Sequence, residues 1–151
     1  MENTRIVYTN DEGNLSVMIP IDKSGLTLEQ IIGLSIPEGT DYHILDGSKL
    51  PQDRRFRDAW VLDQGVVKED LDKAKVIHMD RIRIYRDKKL AELDAEQSKR
   101  ISMDQDWSDI KTEKQRLRDI PQTLDLSAVT DVEALASTIP EGIDMPVPSQ
   151  G

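Results

Sequence analysis

The chain has 151 residues, of which 37% are hydrophobic, 32% charged and only 4% aromatic. That apolar share is below the norm for a globular domain, which excludes one large core and leaves burial mainly to Leu, Ile and Val. A formal net charge of −9 argues against a dedicated nucleic-acid binder, because phosphate needs a net basic surface, and the lack of cysteine removes disulfides, thiolate metal sites and cysteine nucleophiles.

The charge is uneven. Residues 1–67 carry six basic and eleven acidic groups, residues 68–119 fourteen and thirteen, and residues 120–151 none and five. A middle stretch dense in both signs suits a solvated helix laced with pairs one turn apart. Met1-Glu2-Asn3-Thr4 lacks the basic start and apolar run of a signal peptide. No stretch approaches the roughly 20 apolar residues of a membrane span. These features set the expectation of a soluble protein used inside a cell, with no nucleic-acid or membrane partner.

In chain order, Arg5-Ile-Val-Tyr-Thr9 and Leu15-Ser-Val-Met-Ile19 are β-rich runs around the turn-forming Asn10-Asp-Glu-Gly-Asn14, which predicts a hairpin. Period-2 alternation would let Ile6, Tyr8, Val17 and Ile19 share one face, and Pro20 ends the second strand. Thr27-Leu-Glu-Gln-Ile-Ile-Gly33 predicts a short helix with Thr27 as N-cap, Gln30 completing a capping box, and Leu28, Ile31 and Ile32 as its apolar face. Pro37-Glu-Gly39 breaks the chain. Tyr42-His-Ile-Leu45 and Ala59-Trp-Val-Leu62 read as further strands, and Gln64-Gly65 turns the second back along Val66-Val67.

From Glu69 the period lengthens. Leu71, Ala74, His78, Ile82 and Tyr85, then Leu90, Leu93, Gln97 and Ile101, recur at three- and four-residue steps with neither Gly nor Pro between residues 66 and 120. The spacing predicts a helix over about 69–103, a corner at Asp104-Gln-Asp106, and a second helix over about 106–120 stopped by Pro121. Two such helices can fold back as a hairpin or extend as an arm. Beyond Pro121, Asp131-Val-Glu-Ala-Leu-Ala136 has room for a turn or two of helix, and Pro140, Gly142, Pro146 and Pro148 leave an irregular, acidic tail. The resulting architecture is α+β. A small antiparallel β unit with one short helix spans 1–67, a long helix or helical hairpin 68–120, and a proline-punctuated tail 121–151.

Chemistry is sparse in this sequence. His43 falls in a strand and His78 on the helical stripe, without the ligand spacing of a metal site, so each is read as a partly buried histidine. The glycines form no phosphate-binding loop and the serines no nucleophile elbow. The acid pairs Asp11-Glu12 and Glu69-Asp70 sit where turns and helix starts favour carboxylates. The basic run Arg81-Ile-Arg-Ile-Tyr-Arg-Asp-Lys-Lys89 has Asp80, Asp87, Glu92 and Asp94 within pairing distance and reads first as a solvated helix face. Arg54, Arg55 and Arg57 flank Phe56 as charged shoulders of a structural anchor. The expectation is a protein with no catalytic, cofactor or metal site.

The order of three further segments carries a resemblance. Arg55-Phe-Arg-Asp-Ala-Trp60, Asp70-Leu-Asp-Lys-Ala-Lys75 and His78-Met-Asp-Arg-Ile82 are followed by Asp106-Trp107 and by Lys114-Gln-Arg-Leu-Arg-Asp-Ile-Pro121. This succession, over residues 55–121, resembles the bacteriophage tail assembly chaperones and tail-fibre assembly proteins. In that family a Trp-containing corner precedes a helix ending in Leu-Arg-Asp-Ile-Pro, often with a shorter intervening segment and little chain after it. Here an acidic extension runs from Gln122 to Gly151. The resemblance implies no catalytic residues. It implies a non-enzymatic protein that binds a phage tail or tail-fibre protein in the host cytoplasm, or, alternatively, a permanent part of the virion tail, with homo-oligomerisation through the same helices as a further option. Ile82, Tyr85, Leu90, Leu93 and Trp107, on the helical stripe and its corner, are the expected partner-binding residues, with part of that set packing internally.

Overall fold

The computed structural model describes residues 2–21 and 25–147. The fold is α+β, and the chain divides into two compact units, one ending at Asp70 and the other beginning at Leu71.

In the first unit, β1 (Thr4–Thr9) is central in a three-stranded antiparallel sheet, flanked by β2 (Leu15–Met18) and β3 (Tyr42–Asp46). The β1–β2 turn is organised by Asn10, whose side-chain oxygen accepts from the N–H groups of Glu12 at 3.1 Å and Asn14 at 3.0 Å. This loop pairs Thr9 with Leu15, and so Ile6 with Met18 and Val7 with Val17. Directly opposed residues share a face, so the sequence expectation for this hairpin needs correcting. Ile6 and Tyr8 lie with Met18, whereas Val17 lies with Val7 on the other face. A register set by loop length redistributes every side chain of the second strand, which alternation within each strand cannot reveal.

Both faces of the sheet are covered. Helix α1 (Leu28–Ser35) packs Ile32, with the following Ile36, on Ile6, Tyr8 and Met18. Its capping box is complete: the Thr27 hydroxyl accepts from Gln30 N–H, and the Gln30 side chain accepts from Thr27 N–H at 2.9 Å. On the opposite face, Val7 packs with Trp60 and Val67 from the hairpin of β4 (Trp60–Asp63) and β5 (Val66–Glu69). That hairpin forms its own two-stranded sheet. Its two-residue turn places Gln64 at φ 50° and Gly65 at φ 77°, the left-handed pair whose twist matches tight antiparallel strands.

The second unit is a helical hairpin closed by the tail. Helix α2 (Leu71–Ser102) has 32 residues, about 48 Å of rise, with Asp72 in its first turn and Lys99 and Arg100 in its last, the arrangement the helix dipole favours. Helix α3 (Ser108–Thr123) folds back along it. Pro121 lies inside α3 and does not stop it, contrary to the sequence expectation. In the last turn a proline forfeits one hydrogen bond, and Leu124 N–H still closes the helix on Ile120 O at 2.8 Å. Helix α4 (Val132–Ser137) is capped by Asp131, which accepts from Ala134 N–H at 2.7 Å.

The core of this unit joins Ile82 of α2, Leu117 and Ile120 of α3, and Ile143 and Met145 of the tail. Among the described residues no regular structure follows α4, as Pro140 and Pro146 imply (Pro148 lies outside the described residues), yet Ile143 and Met145 are only 6% and 7% exposed. The tail is part of the core rather than an appendage.

Candidate functional site

The α2–α3 hairpin carries the residues singled out for partner binding, and its corner is built from side-chain to backbone bonds. Asp104 adopts the left-handed conformation at φ 52°, and Gln105 N–H reaches back to Arg100 O at 2.8 Å. Asp106 then starts α3 by accepting from Ser108 N–H at 3.1 Å and Ser108 O–H at 2.9 Å, bonds that hold its carboxyl below the usual range. Arg100 fastens the two helices, donating to Glu96 at 3.2 Å, the Asp106 carbonyl at 3.2 Å and Asp109 at 2.6 Å. Further along, Lys114 is bonded to Gln97 at 2.8 Å and ion-paired with Asp94.

Four of the five expected binding residues come together on the inner side of the hairpin. Ile82 is fully buried, and Tyr85, Leu90 and Leu93 are partly buried against the Ile82–Leu117–Ile120 core. Ile82, with most of the set beside it, is the part that packs internally. The apolar stripe is covered within the chain, by α3 and the tail. Trp107 is half-buried at the N-cap position of α3, immediately beyond the corner.

Among the large apolar side chains that α2 presents to solvent, Val76 and Ile84 lie off the stripe, whereas Ile101 belongs to it. Val76 and Ile84, about two turns apart, are 62% and 67% exposed, and Ile101 and Met103 near the corner are exposed as well. The signal of Val76 and Ile84 in the sequence is their position: they are apolar residues off the stripe, set among charged neighbours. The basic run Arg81–Lys89 is solvated in part: Arg83 and Lys88 are exposed, whereas Arg81 and Arg86 are partly buried. Arg83 pairs with Asp80 at 2.7 Å, Arg86 with Asp87 at 2.9 Å and Lys89 with Glu92 at 3.6 Å.

The titratable groups serve structure. His78 is buried and its Nε2 is 2.8 Å from Thr138 O, which makes Nε2 the protonated nitrogen of a neutral ring; burial holds its pKa below the ordinary value, against that hydrogen bond. His43, expected to be partly buried, is exposed on β3. In the first unit burial raises the Glu69 carboxyl, with the Asp53 charge adding to the effect. Asp53 itself is lowered because both its oxygens accept from the buried Arg55, at 2.5 and 3.0 Å. Among the described residues no cluster of His, Asp or Glu is arranged to hold a metal ion, and no helix is long and apolar enough to cross a membrane. Comparison with protein-family models, curated proteins and solved structures found no match to the chain.

Proposed function

We propose that this chain is a non-enzymatic phage tail-associated protein that binds another tail or fibre protein during assembly. The observation that carries this reading is the order Asp106-Trp107, Leu117-Arg-Asp-Ile-Pro121 on a helix, corner and returning helix. Each resembling residue has a physical task there: Asp106 caps α3, Trp107 occupies its N-cap, and Leu117 and Ile120 fill the core. A pattern that specifies a helical hairpin leaves the outer faces of that hairpin available for recognition. The surface best suited to a partner is the exposed side of α2, through Val76 and Ile84, with Ile101, Met103 and Trp107 at the corner. Apolar side chains ringed by charges suit helix-face association, in which a few anchors supply most of the binding free energy.

The buried tail favours a second reading, that the protein remains in the particle as a fixed component. A continuous core through Met145 makes the chain a preformed building block rather than a holder whose end must fold on its client. Mass spectrometry of purified particles separates the two readings. An assembly chaperone is absent from particles and co-purifies with an unassembled tail protein from infected cells. A structural component is present in fixed copy number.

A further inference from the structure

A cavity of about 240 Å³ in the first unit has walls of opposite character to the chain's net charge: among the described residues three arginines, Arg5, Arg54 and Arg57, and no carboxylate line it. Half of the six basic residues in 1–67 converge there, in a segment with eleven acids. Among the described residues none of the three guanidiniums is ion-paired with a carboxylate. Arg5 donates one bond, to Thr4 O at 2.9 Å, and its charge contributes a little to holding the Asp46 carboxyl down. Arg54 sits 5.9 Å from the centre of the Trp60 ring, a cation–π distance.

Trp60 supplies the second, independent observation. It lines the same cavity, is only 2% exposed, and among the described residues its indole N–H has no hydrogen-bond acceptor. An unmet buried donor is costly, and an acceptor entering beside it recovers that cost. A carboxylate meets both needs at once, with oxygens for the indole N–H and for guanidinium forks. The remaining wall holds one polar side chain, Gln52, beside the apolar Val17, Ile19, Leu50 and Pro51. Val17 comes from β2, an edge strand of its sheet, and Ile19 just beyond it is largely exposed. Val17 and Ile19 suit the apolar neighbours of an acidic residue in a polypeptide, which a free phosphate would leave uncovered.

We propose that this cavity docks an acidic side chain from an extended segment of a partner polypeptide, whose flanking apolar residues lie on Val17 and Ile19. The inference rests on the geometry of the first unit and is independent of the tail-assembly reading. Its test is a titration of the ¹⁵N-labelled full chain with the capped peptide acetyl-Val-Glu-Val-Glu-Val-amide, following the two indole N–H signals, assigned with Trp107→Phe. The expected result is a saturable shift of the Trp60 signal alone, with Kd below about 1 mM. The Gln counterpart of the peptide should leave the signal in place. Arg54→Gln combined with Arg57→Gln should weaken binding ~10-fold or more; if that double variant fails to fold, each single change should still weaken binding several-fold. The proposal is overturned by an unmoved Trp60 signal at saturating peptide, by equal binding of the Gln peptide, or by folded arginine variants that bind as well as the parent. Saturation by inorganic phosphate more tightly than by the acidic peptide would also overturn it, reassigning the cavity to phosphate.

Discussion

Ile143→Ala tests whether the segment after α4 is part of the second unit's core. Ile143 is 6% exposed, packed with Ile82, Leu117, Ile120 and Met145. The substitution removes three carbons, about 2.4 kcal/mol at ~0.8 kcal/mol per buried methylene. The cavity left behind adds to this. However, Ile143 stands on irregular backbone that can settle inward, so the addition should be small, for a total of about 2.5–3 kcal/mol. For a unit of this size each kcal/mol corresponds to roughly 4–8 °C, so Tm should fall by about 10–20 °C. Far-UV circular dichroism during urea and thermal unfolding of the full chain is the assay, since α2 and α3 supply most of the helical signal. Val147→Ala, at a site 53% exposed, is the control and should stay within about 0.5 kcal/mol of the parent. Ile143→Ala indistinguishable from Val147→Ala would refute the argument that the tail is packed.

Gly142→Ala should destabilise the same unit by about 1–3 kcal/mol, because Gly142 has φ +83°, a conformation that a residue with a Cβ rarely adopts, whereas the ends of the Arg116 and Glu113 side chains nearby can move aside. Urea unfolding that matches the parent would show that this turn is not held as described. The pH dependence of stability follows from His78, whose folded pKa lies below the ordinary 6.5. Below that value the unfolded chain takes up the proton first, so stability is fully present above about pH 6.5 and is lost as pH falls toward the folded pKa. This window lies above the range in which the lowered carboxylates Asp53, Asp106 and Glu113 titrate. His78→Gln should flatten the slope between pH 7 and 5, and an unchanged slope would remove His78 as its source. Thr27→Ala, which dismantles the α1 capping box, should cost about 1 kcal/mol, read from amide exchange across Leu28–Ser35.

The sequence shows most clearly those features that depend on neighbours along the chain. The Thr27–Gln30 box, the Gln64-Gly65 turn and the uninterrupted α2 period are local, and the structure carries all three. Features that depend on distant partners are poorly legible. The face on which Val17 falls is set by pairing across a loop. The continuation of α3 past Pro121 depends on a proline placed where only one bond is at stake. The burial of Ile143 and Met145 comes from residues whose local sequence is all turn and proline. For the candidate site the same logic holds: the stripe does not say which of its residues pack internally, and here Ile82, Tyr85, Leu90 and Leu93 do. Ile82 therefore belongs to the core, and the apolar residues left outside, Val76 and Ile84, are visible only once the covered side is known. The arginine-lined cavity was equally illegible, because Arg5 and Trp60 meet only through the packing of two separate sheets.

The central claim is that the outer face of the α2–α3 hairpin holds a tail or fibre protein, and affinity purification of the tagged full chain from phage-producing cells tests it most directly. Mass spectrometry of the bound fraction should find one tail or fibre protein at stoichiometric abundance. Val76→Lys with Ile84→Lys, both on exposed positions of a helix that stays folded, should reduce its recovery ~10-fold or more, as expected for lost anchor contacts. Recovery of no tail or fibre protein by the parent chain, or equal recovery by the double variant, would contradict the account.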